Sequence, residues 1–332
     1  MKLAPPLIAL ALLTTAAPGQ GKPAASTEAA HPGEWRRGRG PSRMGAVAEA
    51  AWPERLTEEN VTRQWRIELG PSYSGPVVSN NLVFTTSTED KEKEVVTAVD
   101  RRSGRVVWST SWEGAMKVPF FANRNGSWIR STPAFDGESL FVAGMLDVLV
   151  SLDAQTGKQN WRVDFTERFG SNRESFGFVC SPLVDGEAVY VQTGAGVIKL
   201  DKATGETIWR SMDEDGGMMG GAFSSPIRAK LAGQEHLLVQ SRSALCGLVP
   251  ETGEVLWSKK VKTFRGMNIL TPVPYGDTVF TSAYGGRGHL FGVESSDGAV
   301  SASEKWTTRA QAYMSTPVLI DGHAYVYPRY GW

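Results

Sequence analysis

One string constrains this chain more than any other, because it returns about every fifty residues. It reads DRRSGRVVW at Asp100–Trp108, DAQTGKQNW at Asp153–Trp161, DKATGETIW at Asp201–Trp209 and VPETGEVLW at Val249–Trp257. A fifth copy, ESSDG at Glu294–Gly298, reaches its Trp306 four residues late, and TRQWRIEL around Trp65 has the Trp strand without the turn. In the first three copies an acid opens the turn, where its carboxylate can accept turn amides, and in the fourth Val249 stands there. A glycine (Gly104, Gly157, Gly205, Gly253) takes the positive φ, and Trp follows at a fixed place on the next strand.

A second marker precedes each turn: Gly75-Pro76, Thr132-Pro133, Ser181-Pro182, Ser225-Pro226, Thr271-Pro272 and Thr316-Pro317. After it come an apolar run, often a Gly turn, and a second apolar run. Each unit therefore reads as four short strands. A repeating four-stranded unit of this length is a propeller blade, which cannot cover both its faces alone. The expected fold is all-β, a β-propeller with about six units present and the last incomplete. The recurrent Trp residues, including Trp108, Trp161, Trp209, Trp257 and Trp306, are expected to wedge between blades. No Trp is followed by Asp, the Gly pairs are not periodic, and the acid stands four residues before Gly. These features set aside WD, kelch and sialidase-type blades.

The pattern resembles the pyrroloquinoline-quinone (PQQ)-like repeat, from about Val61 to the C-terminus. The stretch WRRGRGPSRMG, Trp35–Gly45, is similar to the Trp-x-x-x-Arg-Gly-Pro-x-x-x-Gly segment ahead of PQQ-like propellers in many exported bacterial proteins, notably of planctomycetes. Its G-x-G spacing follows no strand and is not a dinucleotide loop. In repeat type the chain is similar to BamB-like outer-membrane assembly scaffolds, although no Cys near the leader suits a lipoprotein anchor. The resemblance to PQQ dehydrogenases implies a quinone, Ca²⁺, a catalytic Asp and in many cases a disulfide between adjacent Cys residues. Here Cys180 and Cys246 are 66 positions apart, so that feature is absent; in an exported protein the two could still pair, though their spacing gives no specific reason to expect it. The nearest approach to a Ca²⁺ loop, Asp213–Asp215, reads as a solvated Gly-rich loop. No cofactor is expected, PQQ being the alternative.

The N-terminus reads as an export signal over residues 1–19: Lys2, the apolar Leu7–Leu13, then small residues. An arm spans 20–60 and the propeller 61–332. Periplasmic or secreted localisation follows, with no membrane span in the mature chain. The four Arg of RRGRGPSR could touch an anionic surface, but a flexible leader packing Trp35 is the favoured reading. Formal net charge is zero and the pI near 6.9, which gives no basis for nucleic-acid binding. The four His form no metal spacing and no G-x-S-x-G elbow is present, so no catalytic or metal residues are assigned. At the C-terminus the sixth unit stops after two strands. Either TRQWRIEL supplies its outer strand, or the chain is truncated from seven or eight blades, the favoured expectation.

Function is expected in the loops between each Trp strand and the next Pro, which are rich in aromatics, Met and Arg. They contribute Phe120, Asn123, Trp128, Arg130, Arg168, Phe178, Phe264, Arg265, Asn268 and Tyr313. Turns between second and third strands add Arg242, Tyr284 and Arg287 to the same face. Aromatic and Arg enrichment of this kind marks binding surfaces. The expected function is a non-catalytic module binding protein or polysaccharide in the envelope; the alternative is a quinoprotein dehydrogenase.

Overall fold

Five four-stranded antiparallel sheets follow one another along the chain, each a simple meander. The structure, a computed structural model, describes residues 8–10, 34–46, 54–123, 126–213, 223–312 and 314–327. After β1 (Ile8–Leu10), blade 1 comprises β2 (Val77–Val78), β3 (Leu82–Glu89), β4 (Lys93–Asp100) and β5 (Val106–Glu113). Blade 2 comprises β6 (Ala134–Phe135), β7 (Ser139–Gly144), β8 (Val148–Asp153) and β9 (Gln159–Asp164), followed by α1 (Phe165–Phe169). Blade 3 holds β10 (Leu183–Asp185), β11 (Ala188–Thr193), β12 (Gly196–Asp201) and β13 (Thr207–Ser211). Blade 4 holds β14 (Ile227–Leu231), β15 (Gln234–Gln240), β16 (Ala244–Leu248) and β17 (Val255–Lys260). Blade 5 holds β18 (Val273–Tyr275), β19 (Thr278–Ser282), β20 (Gly288–Ser296) and β21 (Ala299–Thr308). Among the described residues a sixth sheet has β22 (Val318–Ile320), β23 (His323–Val326) and β1 against β23.

The hairpin string closes each of the first four blades. The turn carboxylate of Asp153 accepts the Thr156 amide at 2.8 Å and its hydroxyl at 2.6 Å, and Asp201 and Asp100 act alike on Thr204 and Ser103. These bonds hold the three carboxyls below the ordinary Asp range. Gly104, Gly157, Gly205 and Gly253 all adopt φ between +70° and +76°.

One regularity was not visible in the string. In all five complete sheets the register between third and fourth strands slips by one residue just before Trp. A bulge of this kind turns the following side chain. Trp108, Trp161 and Trp209 leave their own sheet and lie on the turn glycine of the next blade. Their indole N–H groups donate to Ala154, Lys202 and Pro250 carbonyls at 3.0, 3.0 and 3.1 Å. Within its own blade each ring tilts against a second-strand aromatic, Phe84, Phe141 or Tyr190, at 6.0, 5.8 and 6.0 Å.

Trp257 departs from this arrangement. It packs on Gly247 of its own blade, its indole N–H has no partner, and Gly298 of the next turn has open space above it. The cause is the longer β20–β21 hairpin, whose turn lies beyond the reach of blade 4. His236 fills the aromatic slot beside Trp257, at 6.1 Å.

Apolar clusters join sheets 1 and 2, 2 and 3, 3 and 4, 4 and 5, and 5 and 6. Among the described residues none joins the sixth sheet to the first. The segment around Trp65 forms no strand, so it does not complete the sixth sheet in this structure. Its indole nevertheless lies on Gly104 and donates to the Arg101 carbonyl at 2.8 Å, as a preceding blade's Trp would. The sixth sheet's third strand comes instead from Ile8–Leu10, inside the apolar leader.

Candidate functional site

The arm Glu34–Ala46 is the hub of the molecule, not a flexible leader. Trp35 exchanges two backbone hydrogen bonds with Val78 of blade 1. The Arg36 carbonyl accepts from Phe135, and its guanidinium reaches Asp136 O, both in blade 2. Arg37 donates to Val184 O at 3.0 Å in blade 3. Arg43 spans Ser181 O, Pro182 O and Pro226 O in blades 3 and 4, and Arg39 reaches Pro317 O at 2.6 Å in the sixth sheet. Only glycine suits position 40, because φ is +81° and a Cβ would stand 2.9 Å from the Trp35 ring. The basic arm is therefore withdrawn from solvent: Arg37 is 7% and Arg43 3% exposed. Its partners lie up to 278 positions away, which no local reading could reveal.

Around the hub runs a belt made by the Ser/Thr-Pro markers. At four of the markers the hydroxyl before Pro accepts an amide from the blade before: Gly75 N to Thr132, Thr132 N to Ser181, Ser181 N to Ser225 and Thr271 N to Thr316, at 2.9–3.3 Å. Ser131 and Ser224 add bonds to Cys180 O and Leu270 O, each at 2.9 Å. The hydroxyl is the acceptor that links neighbouring blades, and the Pro fixes its backbone.

The meander puts the second-to-third-strand turns and the loops after each Trp strand on one face. The candidate residues there divide three ways. Phe120 is 90% exposed and meets Phe121 edge-on at 5.6 Å. Phe121 continues to Phe176 at 6.2 Å, and Phe176 to Phe223 at 5.4 Å, so four rings cross the loops of blades 1, 2 and 3. Of these, only Phe120 had been singled out by sequence. A second group gathers beside blade 5: Phe264 meets Tyr284 edge-on at 5.5 Å, Arg265 lies over Phe264 at 5.0 Å, and Arg242 sits against Gly266. Arg287 is exposed nearby.

The rest serve the scaffold. Phe178 is buried against Phe165, and Asn268 is buried with its amide on Ser241 O at 2.8 Å. Arg168 holds Gly205 O at 2.7 Å, and Arg130 covers the Tyr73 ring at 4.9 Å. Trp128 lines a shallow cleft with Pro71, Glu89 and Lys91, and exposed Asn123 accepts from Ser127. Tyr313, His31, Glu214 and Asp215 lie outside the described residues, as does most of the leader.

Two buried acids lie between blades, beneath this face. Glu94, at the start of β4, accepts from Trp112 Nε1 at 2.8 Å and from Met145 N of blade 2 at 2.6 Å. Asp147 holds the equivalent place in blade 2 and faces Gly194 of blade 3, where a Cβ would stand 3.4 Å from its Oδ2. Burial pushes both carboxyls up to about 7, against the lowering effect of the Met145 and Gly194 amides. The sequence carries a signal for both: each acid stands six residues before its turn Asp, Asp100 or Asp153.

Cys180 and Cys246 are both free and buried. Among the described residues no three His, Cys, Asp or Glu side chains come together as metal ligands. The ring axis is lined by guanidiniums and hydroxyls, and among its described lining residues there is no carboxylate to ligate Ca²⁺. No helix among the described residues is long and apolar enough to cross a membrane.

BamB from Moraxella catarrhalis superposes with a TM-score of 0.54 at 16% identity, covering 73% of this chain and 66% of that one. The outer membrane protein assembly factor BamB of Yersinia pestis is 26% identical over 196 residues, 56% of this chain and 46% of that protein. A polyvinylalcohol dehydrogenase of Sphingopyxis sp. is 27% identical over 162 residues, 44% of this chain and 23% of that protein. The chain thus spans less than half the length of these two curated relatives. The PQQ-repeat family described as outer membrane protein assembly factor BamB matches residues 91–328, and the chain belongs to that family.

Proposed function

We propose that this is an exported, non-catalytic propeller whose loop face docks a protein partner in the cell envelope. One observation carries the reading: the Phe120–Phe121–Phe176–Phe223 run, with its outer two rings 90% and 51% exposed and its inner two seated in the scaffold. A rigid aromatic row with a wet end is how a protein interface anchors, and covering each outer ring contributes about 1.5–3 kcal/mol. The leader, Lys2 followed by Leu7–Leu13, supports export to the periplasm or beyond. Cleavage there would remove β1 and leave the sixth sheet with two strands. The BamB relatives, named for outer-membrane assembly, support an envelope protein as the partner. They give a polysaccharide partner no support.

A photo-crosslinker at Phe120 is expected to capture a discrete envelope protein in cells, and Phe121→Ser to reduce that capture about tenfold or more. A crosslinker at Lys158, in a turn at the opposite end of the blade, should capture nothing specific. Equal adducts from both sites would sink the proposal. In a second assay, purified protein with added PQQ and Ca²⁺ is expected to show no dye-coupled oxidation of alcohols. Turnover there would replace the scaffold reading with the dehydrogenase one.

A further inference from the structure

The ring axis holds a cavity of about 640 Å³, floored by the hub. It is lined by Trp35, Arg39 and Arg43 together with belt hydroxyls from successive blades, those of Thr132, Ser181 and Ser225. Arg43 is 3% exposed, and although three of its N–H groups meet the Ser181, Pro182 and Pro226 carbonyls, its Nε–H has no partner. Arg39 spends one amino group on Met44 O and Pro317 O, while its other, Nη1, is buried and has no partner. The Thr132 and Ser181 hydroxyls each accept an amide, which leaves their own protons free to turn into the cavity.

Carbonyl oxygens satisfy hydrogen bonds but do not neutralise charge. Neither Arg39 nor Arg43 has a carboxylate partner in an ion pair among the described residues. Each guanidinium keeps a full positive charge in a low-dielectric site, which is costly without a counter-ion. Burial lowers Arg43 to about 9 and Arg39 to about 10, and Arg37 and Arg39 push Arg43 the same way. The acidic group that acts on Arg43, the Cys180 thiol, is raised to about 11 by burial and is neutral at physiological pH.

We propose that the axial cavity is an anion site, in which a small inorganic anion such as chloride or phosphate sits between Arg39 Nη1, Arg43 Nε and the Thr132 and Ser181 hydroxyls. The anion supplies the charge the hub lacks and ties the arm to the belt, so it acts on the stability of the ring. Nothing in the loop-face reading depends on it.

The test is thermal unfolding of the full chain in sodium gluconate, titrated at constant ionic strength with sodium phosphate or sodium chloride. A saturable rise of about 3 °C or more is expected with at least one of the two anions. Arg39→Gln should weaken the half-saturation point about tenfold or more, the loss of one charged hydrogen bond. No saturable rise with either anion overturns the proposal, and so does a rise that Arg39→Gln leaves unchanged. If that variant does not fold, wild-type crystals soaked in sodium bromide decide. An anomalous peak beside the two guanidiniums supports the site, and its absence there refutes it.

Discussion

Trp161→Ala is expected to cost about 3–5 kcal/mol in a urea or guanidinium titration. The ring touches three things at once: Gly205 of blade 3, Phe141 of its own blade at 5.8 Å, and the Lys202 carbonyl through its N–H at 3.0 Å. Truncation leaves a gap beside the apolar cluster through which these two sheets cover each other's faces. A glycine pair separates the wedge from the turn. Gly205 and Gly298 both have positive φ, +72° and +79°, so alanine strains either turn by about 1–2 kcal/mol. A Cβ on Gly205 would also stand 2.8 Å from the Trp161 ring, whereas on Gly298 it meets nothing within 4 Å. Gly205→Ala should therefore cost more than Gly298→Ala by about 1–3 kcal/mol. Equal costs for the two alanines, or less than about 1 kcal/mol for Trp161→Ala, would refute the wedge.

That contrast also shows how far the sequence could be read. The hairpin string is local, so its Asp–Gly–Trp spacing predicts a turn and a projecting ring without any knowledge of the neighbours. It predicts the blade well wherever the turn has its usual length. It fails at Trp257, because whether the next turn comes within reach depends on the length of β20 and β21, set by residues forty positions further on. The Ser/Thr-Pro marker was legible as punctuation, but its hydroxyl's role was not, since each acceptor serves an amide 44–57 residues away. The hub was misread for the same reason. Four Arg in eight residues look like a solvated charge run, and only the assembled ring supplies the carbonyls that bury them. On the loop face, composition pointed to the correct loops but could not sort them. Phe178 and Phe120 are the same residue type in similar loops, yet one is 2% and the other 90% exposed.

The second large effect is on pH, and it comes from the two acids composition hid among ordinary surface carboxylates. Glu94 and Asp147 are raised from 4.5 and 3.8 to about 7 in the folded chain, desolvation being the main cause for both. Between about pH 4 and pH 7 the native state therefore keeps protons that the unfolded state has released. Stability conferred by these two groups is full below the unfolded values, falls as pH rises toward 7, and is level above it. Each contributes at most about 3–4 kcal/mol to that fall, at 1.36 kcal/mol per unit. Charges facing them from other elements reduce it: Arg162 favours the ionised Glu94 and Arg173 the ionised Asp147, while Asp164 opposes Arg173. The turn acids Asp100, Asp153 and Asp201 are lowered, so their share is lost on acidification instead. The two trends together put the stability maximum near pH 5. Unfolding free energies from Trp fluorescence should be about 2–5 kcal/mol lower at pH 8 than at pH 5. Glu94→Gln keeps an oxygen for the Met145 amide without the charge but loses the acceptor for Trp112 Nε1, so it should cost stability at pH 5 and fall less than wild type between pH 5 and pH 8. A wild type equally stable at both pH values, or a Gln variant that falls as steeply as wild type, would show that these acids are already ionised between the blades.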